Sequence, residues 1–127
     1  MQLLLITLAG GLGTAARYGL STWVRGWSGE GFPWGTLVVN VVGCFLFGIL
    51  LTAVREKGLV SSETATIWMV GFLGAFTTFS TLAFETGDFL RSGALLPAAM
   101  NLLANVVLGL GLFFAGIWTA RAALQAA

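Results

Sequence analysis

Four long, predominantly apolar stretches take up almost the whole chain, and this partition limits the architecture more than any other feature. Residues 2–23, 36–54, 64–90 and 94–120 each approach or exceed the roughly 20 residues that a helix needs to cross the hydrocarbon core of a bilayer. Soluble domains carry roughly 25% charged residues, whereas this chain carries 9%, with 57% hydrophobic residues and a mean hydropathy of +0.94. The reading is an all-α integral membrane protein, a single four-helix transmembrane domain over residues 1–127.

The breaks between stretches are explicit. Gly26-Trp27-Ser28-Gly29-Glu30-Gly31-Phe32-Pro33 is rich in turn formers, Arg55-Glu56-Lys57-Gly58 is charged, and Arg91-Ser92-Gly93 is a short loop. Ser61-Ser62-Glu63 has the character of a helix start. Pro97 falls in the first turn of the last stretch, where its missing N–H costs little. Met1-Gln2-Leu3-Leu4-Leu5 lacks the basic flank of a signal peptide and reads as the start of a retained span.

Composition also excludes chemistries. With no histidine, the single cysteine Cys44 and five scattered acids, the chain offers no zinc site, no Cys/His nucleophile pair and no intrachain disulfide. A net charge of +1 argues against a nucleic-acid surface.

Tryptophans mark the borders. Trp23, Trp27 and Trp34 flank the first loop, and Trp68 and Trp118 lie toward the opposite face, as expected of amphipathic rings at the headgroup level. Arg55, Lys57 and Arg121 fall on the side holding both termini, Arg25 and Arg91 on the other, with Arg17 inside the first span. Orientation follows a Lys/Arg excess in cytoplasmic loops, and three against two is hardly an excess. The near balance predicts a chain that inserts both ways up and pairs with an inverted copy of itself. Four helices are few to enclose a path, and an oligomer supplies more wall.

Small residues let membrane helices approach closely. Gly11, Ala15 and Gly19 recur at four-residue spacing, with Ala9, Gly13 and Arg17 as a second stripe; packing is the favoured role of these glycines. Arg17 can snorkel outward or set a positive potential at the mouth of an anion path, and spacing leaves both open. Thr36, Asn40, Cys44 and Gly48 share a face of the second span, and Asn101, Asn105, Gly109 and Phe113 a face of the fourth. Helix–helix glue is the commoner role of a membrane asparagine. Three of them beside a hydroxyl-rich third span favour a polar lining. Asp88 and Arg91 are spaced to meet at a solvated helix end, and Glu85, a turn deeper, suits a water-filled vestibule.

Gly74-Ala75-Phe76-Thr77-Thr78-Phe79-Ser80-Thr81 puts four hydroxyls near the middle of the third span. Irregular polar backbone at membrane depth survives only where it is buried in protein or lines a cavity. The candidate lining is neutral and rich in donors, with one arginine at hand and no acidic ring of the kind cation pathways use. Aromatic rings carry a positive edge, so ring edges, amides and hydroxyls together suit a small anion.

These residues bring a family into view. Gly10-Gly11-Leu12-Gly13-Thr14-Ala15-Ala16-Arg17-Tyr18, Gly35-Thr36-Leu37-Val38-Val39-Asn40-Val41-Val42-Gly43 and Gly71-Phe72-Leu73-Gly74-Ala75-Phe76-Thr77-Thr78-Phe79-Ser80-Thr81 closely resemble the signatures of the CrcB/Fluc fluoride channels, in motif order and over the whole chain. The resemblance implies an antiparallel dual-topology homodimer with two fluoride pores and a third helix broken at its centre. It also implies a structural sodium ion on the dimer axis, held by the Gly74 and Thr77 carbonyls of both copies. Carried over by motif, Asn40 contacts fluoride, Phe79 presents its ring edge, Ser80 and Thr81 supply hydroxyls, and Arg17 stands near the vestibule. Asn101 and Asn105 fall, in looser register, where relatives often have tyrosine and serine. One departure is Leu82, where relatives usually carry a second phenylalanine.

The implied function is a passive fluoride-selective channel in a prokaryotic inner (plasma) membrane, with fluoride, lipid and a second copy of the chain as partners. It relieves fluoride toxicity, needs no organic cofactor and performs no enzymatic step. A small dual-topology multidrug exporter is the rival, but the first span lacks the membrane-embedded glutamate such exporters use. A non-transporting membrane scaffold is the third reading.

Overall fold

The computed structural model describes residues 1–56 and 58–126. Lys57, counted above among the basic residues, lies outside them. Three of the four spans are unbroken helices: α1 (Gln2–Ser28), α2 (Trp34–Arg55) and α6 (Leu95–Ala126). The third, Ser62–Arg91, is built from pieces: α3 (Ser62–Thr66), a π-helix over Ile67–Leu73, α4 (Gly74–Phe76) and α5 (Phe79–Arg91). All four spans are long and apolar enough to cross a membrane. An all-α protein of four spans with an interrupted third helix is what the sequence predicts.

At 1.5 Å per residue α1 and α6 are about 40 and about 48 Å long, from 27 and 32 residues. They outrun the hydrocarbon core, because a helix continues through border residues such as Trp27 and Arg121 that a hydropathy reading trims. All five tryptophans stand exposed on the bundle surface, as border rings should. Ser61 caps α3, its hydroxyl accepting the Thr64 N–H at 3.2 Å. Arg121 of α6 pairs with Glu56 at 2.5 Å, which brings the end of the fourth span beside the second loop.

Lipid tails are as apolar as leucine, so helices in a bilayer associate by close packing and polar contacts. α2 and α6 cross with their backbones nearly touching. A β-carbon on Gly48 would collide with the Phe113 carbonyl, and one on Gly116 with the Phe45 carbonyl. α1 stacks on the π-helix in the same manner, Gly13 lying against the Phe72 backbone.

Here the two α1 stripes part company. Ala9 and Gly13 are buried, whereas Gly11, Ala15 and Gly19 are exposed, and β-carbons on Gly11 or Gly19 would meet nothing. The geometric reason is that residues two apart stand about 200° apart around a helix. The stripes are opposed, so only one of them packs within the chain.

Hydroxyls within the spans return to their own backbone. Thr7, Thr52, Thr66 and Thr119 each donate to the carbonyl four residues earlier, at 2.8 to 3.0 Å. Each thereby removes a donor that hydrocarbon could not satisfy.

Candidate functional site

The third span loses its helix at two residues. Thr77 (φ −81°, ψ 160°) and Thr78 (φ −149°, ψ 115°) are extended between α4 and α5. A helix that stops in mid-membrane strands N–H and C=O groups, and local threonines add side-chain bonds on both sides of the break. The Thr77 hydroxyl donates to the Leu73 carbonyl at 3.0 Å. The Thr78 hydroxyl oxygen accepts the Thr81 N–H at 3.1 Å, capping α5. That hydroxyl also lies 3.0 Å from Thr81 Oγ1 and 3.2 Å from Ser80 Oγ.

α2 supplies the rest. Asn40 Oδ1 accepts the Thr78 N–H at 2.8 Å, while Asn40 Nδ2 donates to the Thr78 carbonyl at 3.1 Å. One amide thus supplies the acceptor that the Thr78 N–H lacks and adds a donor to the Thr78 carbonyl, which as the N-cap carbonyl of α5 also opens the next helix. The amide can lie so close because Gly43, one turn further along α2, has no side chain. A β-carbon there would run into the Thr77 methyl and crowd the Phe76 ring.

From Asn40 a polar chain runs into the bundle. Asn40 Nδ2 also donates to Asn105 Oδ1 at 2.9 Å, and Asn105 Nδ2 donates to the Asn101 carbonyl at 2.9 Å and to its Oδ1 at 3.2 Å. Asn101 Nδ2 donates to Thr86 Oγ1 at 3.1 Å. On the other side of the break, the Arg17 guanidinium reaches the Thr77 carbonyl at 3.4 Å.

Two open cavities lead to this place. One, of about 290 Å³, is lined by Arg17, Arg25, Thr36, Thr78 and Thr81 among others. The other, of about 340 Å³, shares Arg25 and Thr36 and adds Glu30, Glu85 and Asp88. The approach therefore passes from a mixed-charge mouth to an inner chamber whose charged lining is Arg17 and Arg25. Glu85 does face a vestibule, with Thr36 donating to its Oε1 at 2.6 Å; its Oε2 is buried without a hydrogen-bond partner.

The residues singled out in the sequence are sorted by this geometry. Asn40, Asn105 and Asn101 come together in one chain of contacts, with Asn101 at 0% exposure and Asn105 at 8%. Phe79, 77% exposed, stands on the outer surface beside exposed Ser80, Thr81 and Gly74. Leu82 and Phe76 are buried, and Phe76 stacks on Phe72 at 5.8 Å between ring centroids. Three participants did not stand out in the sequence. Thr78 is the residue whose backbone is clasped, Gly43 makes room for the break, and Thr36 binds Glu85. Gly43 carried a signal in its position one turn from Asn40, and Thr36 in its place on the Asn40 face.

The neutral carbonyls of Gly74 and Thr77 are hard oxygen donors of the kind that suits an alkali cation. The Thr78 N–H, turned toward Asn40, is diverted from the Gly74 carbonyl that a continuing helix would give it. The donor set fits a cation, and two carbonyls from one chain leave most of a coordination shell to be supplied by others.

Comparison with known proteins follows the same lines. A family model described as "CrcB-like protein, Camphor Resistance (CrcB)" matches residues 4–117. A protein named fluoride-specific ion channel FluC from Nitrosococcus oceani is 50% identical over 111 residues, 87% of this chain and 89% of its own. Proteins of the same name from Hydrogenovibrio crunogenus and Solidesulfovibrio magneticus are 43% and 47% identical. They cover 95% and 91% of this chain and 92% and 93% of their own. With a match over nearly its full length and a broken third span at the motif, this chain belongs to the CrcB-like protein family.

Proposed function

We propose that this chain forms a passive, fluoride-selective channel of the bacterial plasma membrane, through which fluoride leaves the cell without any chemical step. The observation that carries this reading is the near full-length similarity to proteins named fluoride-specific ion channel, at 43 to 50% identity. The geometry supports it. A break at membrane depth, hydroxyls at Thr78, Ser80 and Thr81, an exposed aromatic ring at Phe79 and a chamber carrying Arg17 together make a neutral-to-positive path. Small anions gain most from such donors, because their field is strongest at close approach.

The working unit in this reading is an antiparallel homodimer. Phe79, Ser80 and the Gly11/Ala15/Gly19 stripe face outward from a single chain, and an inverted copy would cover them. The Gly74 and Thr77 carbonyls of both copies would then hold a structural sodium ion, which neutralises the carbonyl ends at the break. Both hydrogens of the Asn40 amide already have acceptors, so its contact with fluoride exchanges one of them for the ion.

Reconstituted liposomes test the function. Fluoride efflux that requires a potassium ionophore to balance charge is expected. Proton-coupled export of organic cations, or no flux, would refute it. A single loop cysteine labelled from both sides of the membrane is expected of a chain that inserts both ways up, and labelling from one side alone would exclude dual topology.

A further inference from the structure

We infer that Asn101 and Asn105 are positioning residues: they fix the orientation of the Asn40 amide at the break and act on permeation only through it. The inference deepens the channel reading and rests on it. Four hydrogen bonds run head to tail in one sense. The Thr78 N–H donates to Asn40 Oδ1, Asn40 Nδ2 to Asn105 Oδ1, Asn105 Nδ2 to Asn101 Oδ1 and Asn101 Nδ2 to Thr86 Oγ1, at 2.8, 2.9, 3.2 and 3.1 Å.

A primary amide has nearly the same shape when its oxygen and nitrogen are exchanged, and only its partners decide which end points where. A flipped Asn40 would set NH₂ against the Thr78 N–H and oxygen against both the Thr78 carbonyl and Asn105 Oδ1. The Asn105 oxygen faces Asn40 because its amino end is tied to Asn101, and Asn101 is tied in turn to Thr86. The ladder therefore leaves the third span at Thr78, crosses α2 and α6, and returns to the same span eight residues later.

Burial separates this role from ion contact. Asn101 at 0% exposure and Asn105 at 8% present almost no surface, whereas Phe79 and Ser80 stand outside. Asn101 and Asn105 are buried and Asn40 and Thr86 half-buried, so the loss of one rung strands its neighbours with little water to replace it.

The test is a mutant cycle with two readouts, flux and the backbone amide resonance of Thr78 in isotope-labelled protein. Asn105→Ala should cut fluoride throughput about tenfold, the scale of one lost buried hydrogen bond, and should add nothing in an Asn40→Ala background. Asn105→Ala and Asn101→Leu should both move the Thr78 amide resonance, although neither residue touches Thr78. Leucine keeps the bulk of asparagine, so a space-filling Asn101 would leave that resonance in place. Asn105→Ser, which keeps an acceptor, should retain more throughput than Asn105→Ala and serves if the leucine variant does not fold. Multiplying losses in the double variant, or an altered fluoride-to-chloride ratio with an unmoved Thr78 resonance, would overturn the assignment in favour of direct ion contact. A wild-type protein that passes no fluoride would refute the channel reading, while the resonance would still decide the ladder.

Discussion

Thr36 on α2 and Glu85 on α5 are joined by a 2.6 Å hydrogen bond from hydroxyl to carboxylate, and the other carboxylate oxygen is buried without a partner. Thr36→Val preserves shape and removes the hydroxyl donor to that carboxylate. Leaving a buried acceptor unmade costs about 1–3 kcal/mol. Thermal unfolding in detergent should show a lower midpoint, and an unchanged midpoint would mean that water already serves the carboxylate.

Gly43→Ala should deform the break. The added methyl meets the Thr77 side chain and the Phe76 ring, and overpacking of this kind costs about 1–3 kcal/mol. Reduced fluoride efflux together with reduced thermal stability is expected. Full efflux would show that the extended pair can shift without consequence.

Phe79→Ile should lower fluoride throughput and leave the fold intact. The ring is 77% exposed in the single chain, so its removal vacates little intrachain packing, while the proposed path would lose a ring edge. Ion-selective electrode traces from liposomes measure the first effect and gel filtration the second. Wild-type rates would reduce the ring to a lipid or dimer contact.

Asn40→Asp retains an acceptor for the Thr78 N–H but turns oxygen toward the Thr78 carbonyl and Asn105 Oδ1. It also places a negative charge on the path proposed for the anion. Near-complete loss of fluoride flux is expected. Undiminished flux would remove Asn40 from the path.

Replacing sodium by a large organic cation should lower the thermal stability of the purified protein, because in the proposed pair the Gly74 carbonyls would lose their cation and the Thr77 carbonyls would keep only the Arg17 contact. A stability independent of the cation, across a titration from sodium-free buffer upward, would discard the sodium site.

Much of this was legible in the sequence because bilayer chemistry leaves few choices. Apolar length set the four spans, hydroxyls massed at Thr77, Thr78, Ser80 and Thr81 marked a polar site in the third, and the resemblance to a known family implied the break there. Handedness around a helix was harder. Gly11 and Gly13 are two residues apart and read as adjacent stripes, yet only Gly13 packs within the chain. Asn40, Asn101 and Asn105 were identifiable as polar outliers. Which of them bond to one another depends on how α2, α5 and α6 rotate, and four-residue spacing on one helix carries no information about its neighbours. Thr78 looked like one hydroxyl among four until its backbone was seen clasped.

α4 is the last three residues of a helical run that continues unbroken from α3 through the π-helix, and it stops where Thr77 turns extended. The stop is held from α1 and α2, by Arg17 on the Thr77 carbonyl and Asn40 on the Thr78 backbone. A synthetic peptide copying this span would therefore not reproduce the corner: the bend is inherited from the company it keeps, and any lesion that loosens those companions, however distant from the pore, redraws it.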